Sequence, residues 1–293
     1  RRSRRHHTRH HTCRTSPRKT PKGNPVTQDP YSENPPASSY PDYPAESPVP
    51  PPPVEQRIPV SVPRTRPLVT YTLLVITIII FLLQTASEYI FGYDLVAGLG
   101  MKVNELILAG QYWRLLTPMF LHGSILHLGF NMYALYIFGP GLERYYGHGR
   151  FILLFVLSGF AGNVFSFTFS ASNSLGSSTA IFGLLAAEGV FLYLNQKVFG
   201  GVARRALNNI IMIAVVNLII GLSPGIDNWG HMGGLVGGAI FAFLGGPILQ
   251  VKGITPNLHI VDTRETSDVV RAALVDIFLF GALALGTIYL RSV

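Results

Sequence analysis

The 293-residue chain carries 48% hydrophobic and only 13% charged side chains, with a mean hydropathy of +0.34, which argues against an ordinary water-soluble globule and for a membrane protein. The net charge of +8 is unevenly placed: residues 1–66 hold 12 Lys+Arg against 5 Asp+Glu, and residues 67–293 hold 11 against 10. Nucleic-acid binding is therefore not implied, whereas a basic tail near anionic lipid is. The single cysteine, Cys13, excludes an intramolecular disulfide framework and a Cys-based zinc site.

Residues 1–66 join a basic, histidine-bearing start (His6, His7, His10, His11) to a proline-rich stretch densest at Pro48 to Pro53. Such a composition cannot bury enough apolar surface to offset its ordering entropy, so a disordered tail of polyproline II character is expected. The histidine pairs are read as solvated tail, with metal binding as the competing reading. No apolar run precedes residue 68, so no cleavable signal peptide is expected.

Residues 68–87 carry no charge and, at about 1.5 Å per helical residue, cross a hydrocarbon core of about 30 Å. The connection 88–124, with Asp94, Lys102, Glu105 and the pair Trp113-Arg114, is too long and too apolar for an unstructured loop and is expected to fold at the interface. Further spans are predicted at 125–138, 151–170, 178–194, 206–222, 229–249 and 272–290, which makes seven. Arg144 and Arg150, then Lys197, Arg204 and Arg205, then Lys252, Arg264 and Arg271 mark alternate connections, while 171–177 has no Lys or Arg. By the positive-inside rule, the tail and these basic connections face the cytoplasm and the C-terminus lies outside. His127, Asn131, Ser178 and His231 then all open spans at the external face, whereas His148 and His259 fall on the other side.

Serine becomes a nucleophile when a neighbouring base accepts its proton, and the near-neutral pKa of histidine suits it to that role. Ser178 alone reads first as a helix N-cap, and His231 alone equally as an interhelical hydrogen-bonding group. Their shared depth favours a Ser/His pair. Asp227, four residues before His231, is expected to serve the helix start or a loop contact rather than the chemistry. His127 and Asn131, spaced i, i+4, share one helix face, and polar groups paired at membrane depth are a functional hypothesis by default. Gly230/Gly234/Gly238 and Gly233/Gly237 form stripes that let a neighbouring backbone approach closely.

The segments His127-Leu128-Gly129-Phe130-Asn131, Gly176-Ser177-Ser178-Thr179 and Gly230-His231-Met232-Gly233-Gly234, in this order and on these spans, resemble the signatures of the rhomboid family of intramembrane serine proteases, of the bacterial type. Trp113-Arg114 and Glu143-Arg144 match as well. The resemblance covers about residues 68–249, with the seventh span similar to the extra helix of the "six plus one" members. It implies an all-α polytopic fold: a tail at 1–66, a six-helix core at 67–249, and a linker with a seventh helix at 250–293. It further implies a multi-pass protein of the cell membrane that cuts transmembrane substrates, without cofactor or metal. In this reading Ser178 is the nucleophile and His231 the base. His127, Asn131 and the Ser178 N–H form an oxyanion hole, with Gly176, Phe182, Gly230, Gly234, Trp113 and Arg114 in support. Ser170, Ser172, Asn173 and Ser174 would help to wet the site.

One departure is Thr179, where the family usually has glycine; a β-branched residue there is expected to crowd the sixth span. The competing readings are a rhomboid-like protein that binds transmembrane helices without cutting them, and a transporter using Glu188 in the fourth span. The absence of a His-Glu-x-x-His run and of a paired intramembrane aspartate argues against zinc and aspartyl chemistry.

Overall fold

The uncharged run after Pro67 forms helix α1, Leu68–Phe91. Its opening N–H groups have no partner in their own helix and are taken by a distant carboxylate: Glu143 accepts from Val69 N and Thr70 N, both at 2.8 Å, and from the Thr70 hydroxyl at 2.6 Å. The computed structural model describes residues 60–61 and 65–292. The disordered character expected of the tail, and its histidine pairs, lie outside the described residues apart from Val60–Ser61.

The connection after α1 is folded, as expected. Asp94 caps α2 (Leu95–Gly100), its side chain accepting from Ala97 N; α3 (Asn104–Leu108) and two 3-10 turns, Tyr112–Leu115 and Thr117–Phe120, follow. Ser124 then caps α4, which runs Ile125–Phe169. The second and third predicted spans fall on two helices within this range, one on either side of a break in helical backbone at Gly147. There φ is 72° and ψ 168°, a bend that glycine adopts without steric cost. The connection read between them is shorter than expected: helical backbone continues through Arg144 up to that break, and fully buried Glu143 is satisfied by α1.

Helix α5 (Ser178–Leu194) matches the fourth predicted span. The short α6 (Gln196–Phe199) leads to α7 (Gly201–Ile220), which begins earlier than predicted. Helix α8 (Asn228–Gly245) ends before Pro247, because proline disfavours helix in the residue preceding it, and α9 (Thr266–Ser292) opens ahead of its predicted start. Between α8 and α9 the expected linker contains a hairpin, β2 (Leu249–Lys252) antiparallel to β3 (Leu258–Asp262), and β1 (Val60–Ser61) pairs parallel to β3.

Among the described residues, four helical stretches are long and apolar enough to cross a membrane: α1, α4, α7 and α9. Helices α5 and α8, with 17 and 18 residues, reach only about 26 Å at 1.5 Å per residue, short of a core of about 30 Å. These two pack on each other and on α4, and Phe155, Leu184 and Phe241, all fully buried, belong to the core between them. The short helices are therefore enclosed, and both begin at the same end of the bundle.

Candidate active site

Ser178 is the first residue of α5 and His231 lies in the first turn of α8. Their side chains meet, with His231 Nε2 at 2.9 Å from Ser178 Oγ. The cap position belongs to Ser177, which makes no side-chain capping bond, so the Ser178 hydroxyl is directed at the imidazole rather than at its own helix. The Phe182 ring, one turn along α5, stacks on His231 with centroids 4.2 Å apart and planes 10° from parallel. With the Ser178 hydroxyl donating to Nε2, the ring proton sits on Nδ1, which is buried and has no partner among the described residues. Asp227 does not supply one: it caps α8 by accepting from Gly230 N at 3.0 Å.

The close approach of α5 and α8 depends on missing side chains. A Cβ on Gly234 would overlap the Thr179 carbonyl, and one on Gly238 would overlap the Gly183 backbone. Gly233 and Gly237 face the other way, against Phe165 and Ala161 of α4. Thr179, expected to crowd α8, is buried in a recess left by two glycines. A Cβ on Gly162 would come within 2.6 Å of the Thr179 Cβ, and one on Gly230 within 3.0 Å of its methyl.

His127 stands in the first turn of α4, where its N–H donates to Ser124 Oγ at 3.1 Å. Its ring lies over Gly176: a Cβ there would be 2.7 Å from His127 Nε2 and 3.7 Å from Ser178 Oγ, and the φ of +138° is one that side-chain-bearing residues avoid. The imidazole and the hydroxyl therefore border one small volume that only glycine leaves open. Asn131 is buried one turn further, its amide donating to the His127 carbonyl at 2.9 Å. Because an amide nitrogen carries two hydrogens, a second donor remains.

Residues 109–248 match the Rhomboid domain family. The rhomboid protease GluP of Bacillus subtilis (strain 168) is 41% identical over 59% of this chain and 34% of its own length. The putative rhomboid protease YdcA of the same organism is 31% identical over 62% of this chain and 89% of its own. The chain belongs to the rhomboid family. RHOMBOID-like protein 9, chloroplastic, of Arabidopsis thaliana is 37% identical over 52% of this chain and 35% of that protein, so the chain spans about a third of the length of some relatives. A multi-pass membrane protein follows from family and helices together.

Trp113 and Arg114, the pair singled out in the first loop, hold that loop together and make no hydrogen bond to Ser178 or His231. The Arg114 guanidinium donates to the carbonyls of Met101 and Gly98, both at 2.7 Å, and the Trp113 indole to Leu99 at 3.1 Å. The loop contributes two buried residues that sequence reasoning did not single out. His122 Nε2 lies 3.1 Å from Ser177 Oγ, and its ring is edge-on to His127 at 5.1 Å. Burial, reinforced by the His127 imidazole, pushes its pKa down to about 3. Lys102 donates to the carbonyls of Ser166, Ser170 and Ser172, the last at 2.6 Å, and so ties down the serine-rich connection expected to wet the site; burial lowers its pKa to about 8. A lone loop residue carries no periodic signal, which is why His122 escaped notice and Lys102 was read only as one charge of the connection. His148, bonded to Glu143 at the Gly147 bend, and His259, on β3, lie outside this cluster.

Proposed function

We propose that this rhomboid is an intramembrane serine endopeptidase acting on transmembrane proteins through a Ser178–His231 dyad. The observation that carries the reading is the 2.9 Å contact between hydroxyl and imidazole at the start of two enclosed helices. Ser178 Oγ attacks the scissile carbonyl carbon while its proton passes to His231 Nε2; the imidazolium then protonates the leaving amine, and a water deprotonated by His231 releases the acyl group. Charge developing on the carbonyl oxygen falls in the volume over Gly176, towards His127 Nε2, the free Asn131 amide hydrogen and the Ser178 N–H, which has no acceptor in a preceding turn. Phe182 fixes the imidazole plane, while Gly230 and Gly234 fix the helix approach.

Residues 67–249 form the catalytic unit and 250–293 the linker and added helix. The Lys/Arg distribution supports a cell-membrane orientation with the N-terminus cytoplasmic and the dyad opening outward. Impermeant maleimide added to intact cells then leaves Cys13 unmodified.

Co-expression with a reporter transmembrane substrate tests the chemistry. Ser178→Ala and His231→Ala abolish cleavage, while His127→Ala and Asn131→Ala each lower kcat by about 100- to 1000-fold, as loss of an oxyanion donor does. Equal cleavage by wild type and Ser178→Ala removes the dyad. A folded wild type that neither cleaves nor reacts with a fluorophosphonate leaves the helix-binding reading in its place.

A further inference from the structure

His122 of the first loop is held from behind and holds what lies in front of it. Gln84 of α1 grips its backbone on both sides. The His122 N–H donates to Gln84 Oε1 at 3.0 Å, while Gln84 Nε2 donates to the His122 carbonyl at 3.2 Å and to Asp94 Oδ2 at 2.7 Å. Gln84, His122 and Ser177 are all buried, where hydrogen bonds are stronger than in water. In front, the Ser177 N–H donates to His122 Nε2 at 3.4 Å. A ring nitrogen that accepts from an amide carries no proton, so the Ser177 hydroxyl, 3.1 Å from the same nitrogen, is a second donor to it. The cap residue of α5 therefore spends its side chain on the first loop rather than on its own helix.

These contacts fix the plane of one peptide. The Ser177 carbonyl accepts from Ile181 N at 3.0 Å and so points along α5. In a trans peptide the N–H lies opposite the carbonyl, which aims the Ser178 N–H out of the helix start, where no preceding turn can accept from it. The chain just before is pinned by the same loop, Gly176 N donating to the Pro118 carbonyl at 2.9 Å. The His122 ring also stands edge-on to the His127 imidazole, with centroids 5.1 Å apart. One buried side chain thus bears on a backbone donor and on a side-chain donor. We propose that His122, braced by Gln84, is a positioning residue for the oxyanion hole, a reading that rests on the Ser178–His231 dyad. It touches no reacting atom and acts by aiming the Ser178 N–H and His127 at charge that develops only in the transition state.

The test is steady-state cleavage of a reporter transmembrane substrate by the full chain in detergent, together with inhibition by a peptide aldehyde, whose tetrahedral adduct puts an oxygen where the oxyanion forms. His122→Phe keeps a ring and removes the acceptor. It lowers kcat by about 10- to 100-fold, short of the full loss of a donor, leaves KM unchanged and weakens the aldehyde by the same factor. His122→Gln offers an amide oxygen in place of Nε2 and restores most of kcat. Ser177→Ala, a smaller change that carries the test if His122→Phe does not fold, lowers kcat by about fivefold at unchanged KM, as loss of one neutral hydrogen bond does. A purely structural role gives lower unfolding midpoints with wild-type kcat per folded molecule. That result, or a rise in KM that accounts for the whole loss, overturns the proposal. Ser178→Ala in the same assay keeps two failures apart. If it is inactive while His122→Phe and Ser177→Ala keep wild-type kcat, the positioning role alone falls; if it is active, the dyad falls and the proposal with it.

Discussion

His122 shows how one side chain links the first loop to the candidate nucleophile. It is 1% exposed, touches Ser177 and His127, and stays neutral until about pH 3 because burial disfavours its charge. The unfolded chain takes up a proton on this residue below about pH 6.5. Stability therefore falls as the pH drops from about 6.5 towards 3, and this contribution is flat above that window. Thermal unfolding in detergent at pH 7 and pH 4.5 should show a larger drop in midpoint for wild type than for His122→Gln; equal drops would discard the assignment. Ser178, His231, His127 and Asn131 were legible because each opens a predicted span. Ser177 and His122 were not, since their contact joins positions 55 residues apart through a loop whose path no local pattern encodes.

Between helices, contact distance decides more than polarity. Gly234 and Gly238 sit where a methyl group would strike α5 backbone, whereas a Cβ on Gly129 meets nothing within 4 Å. Gly234→Ala and Gly238→Ala are expected to destabilise by about 3 kcal/mol or more, above the usual cost of overpacking because backbone cannot yield like a side chain. Both should lose fluorophosphonate labelling, and Gly129→Ala should behave as wild type. Comparable unfolding midpoints for all three would refute the packing account. Glu143 does the corresponding work between α1 and α4. Removing it in Glu143→Ala leaves the Val69 and Thr70 N–H groups without their acceptor, a loss of about 3 kcal/mol, readable as a lower midpoint. The glycine stripe was visible in the sequence, but its division between α5 and α4 was not, because a helix pattern names faces without naming neighbours.

The hairpin at the far end is tied back to the bundle through Arg150, which pairs with Asp262 and donates to the Arg264 carbonyl at 3.1 Å. Both side chains are partly exposed, so the tie contributes about 1 kcal/mol at most. Arg150→Ala should be nicked about fivefold faster by added protease at 253–257, with fluorophosphonate labelling of Ser178 unchanged; unaltered nicking would show that the strands hold without it. The sequence by itself determined the helical class, the number and approximate places of the apolar segments, and the four polar residues at their mouths, because hydropathy and residue type are local properties that lipid reads directly. Only the tertiary structure decided that the connection between the second and third spans narrows to a break at Gly147, that Thr179 is received by Gly162 and Gly230, that Lys102 and His122 are buried, and that a hairpin follows α8. Each of these depends on which surfaces meet, and in a chain whose backbone needs are met within helices, that choice belongs to side-chain packing between distant segments.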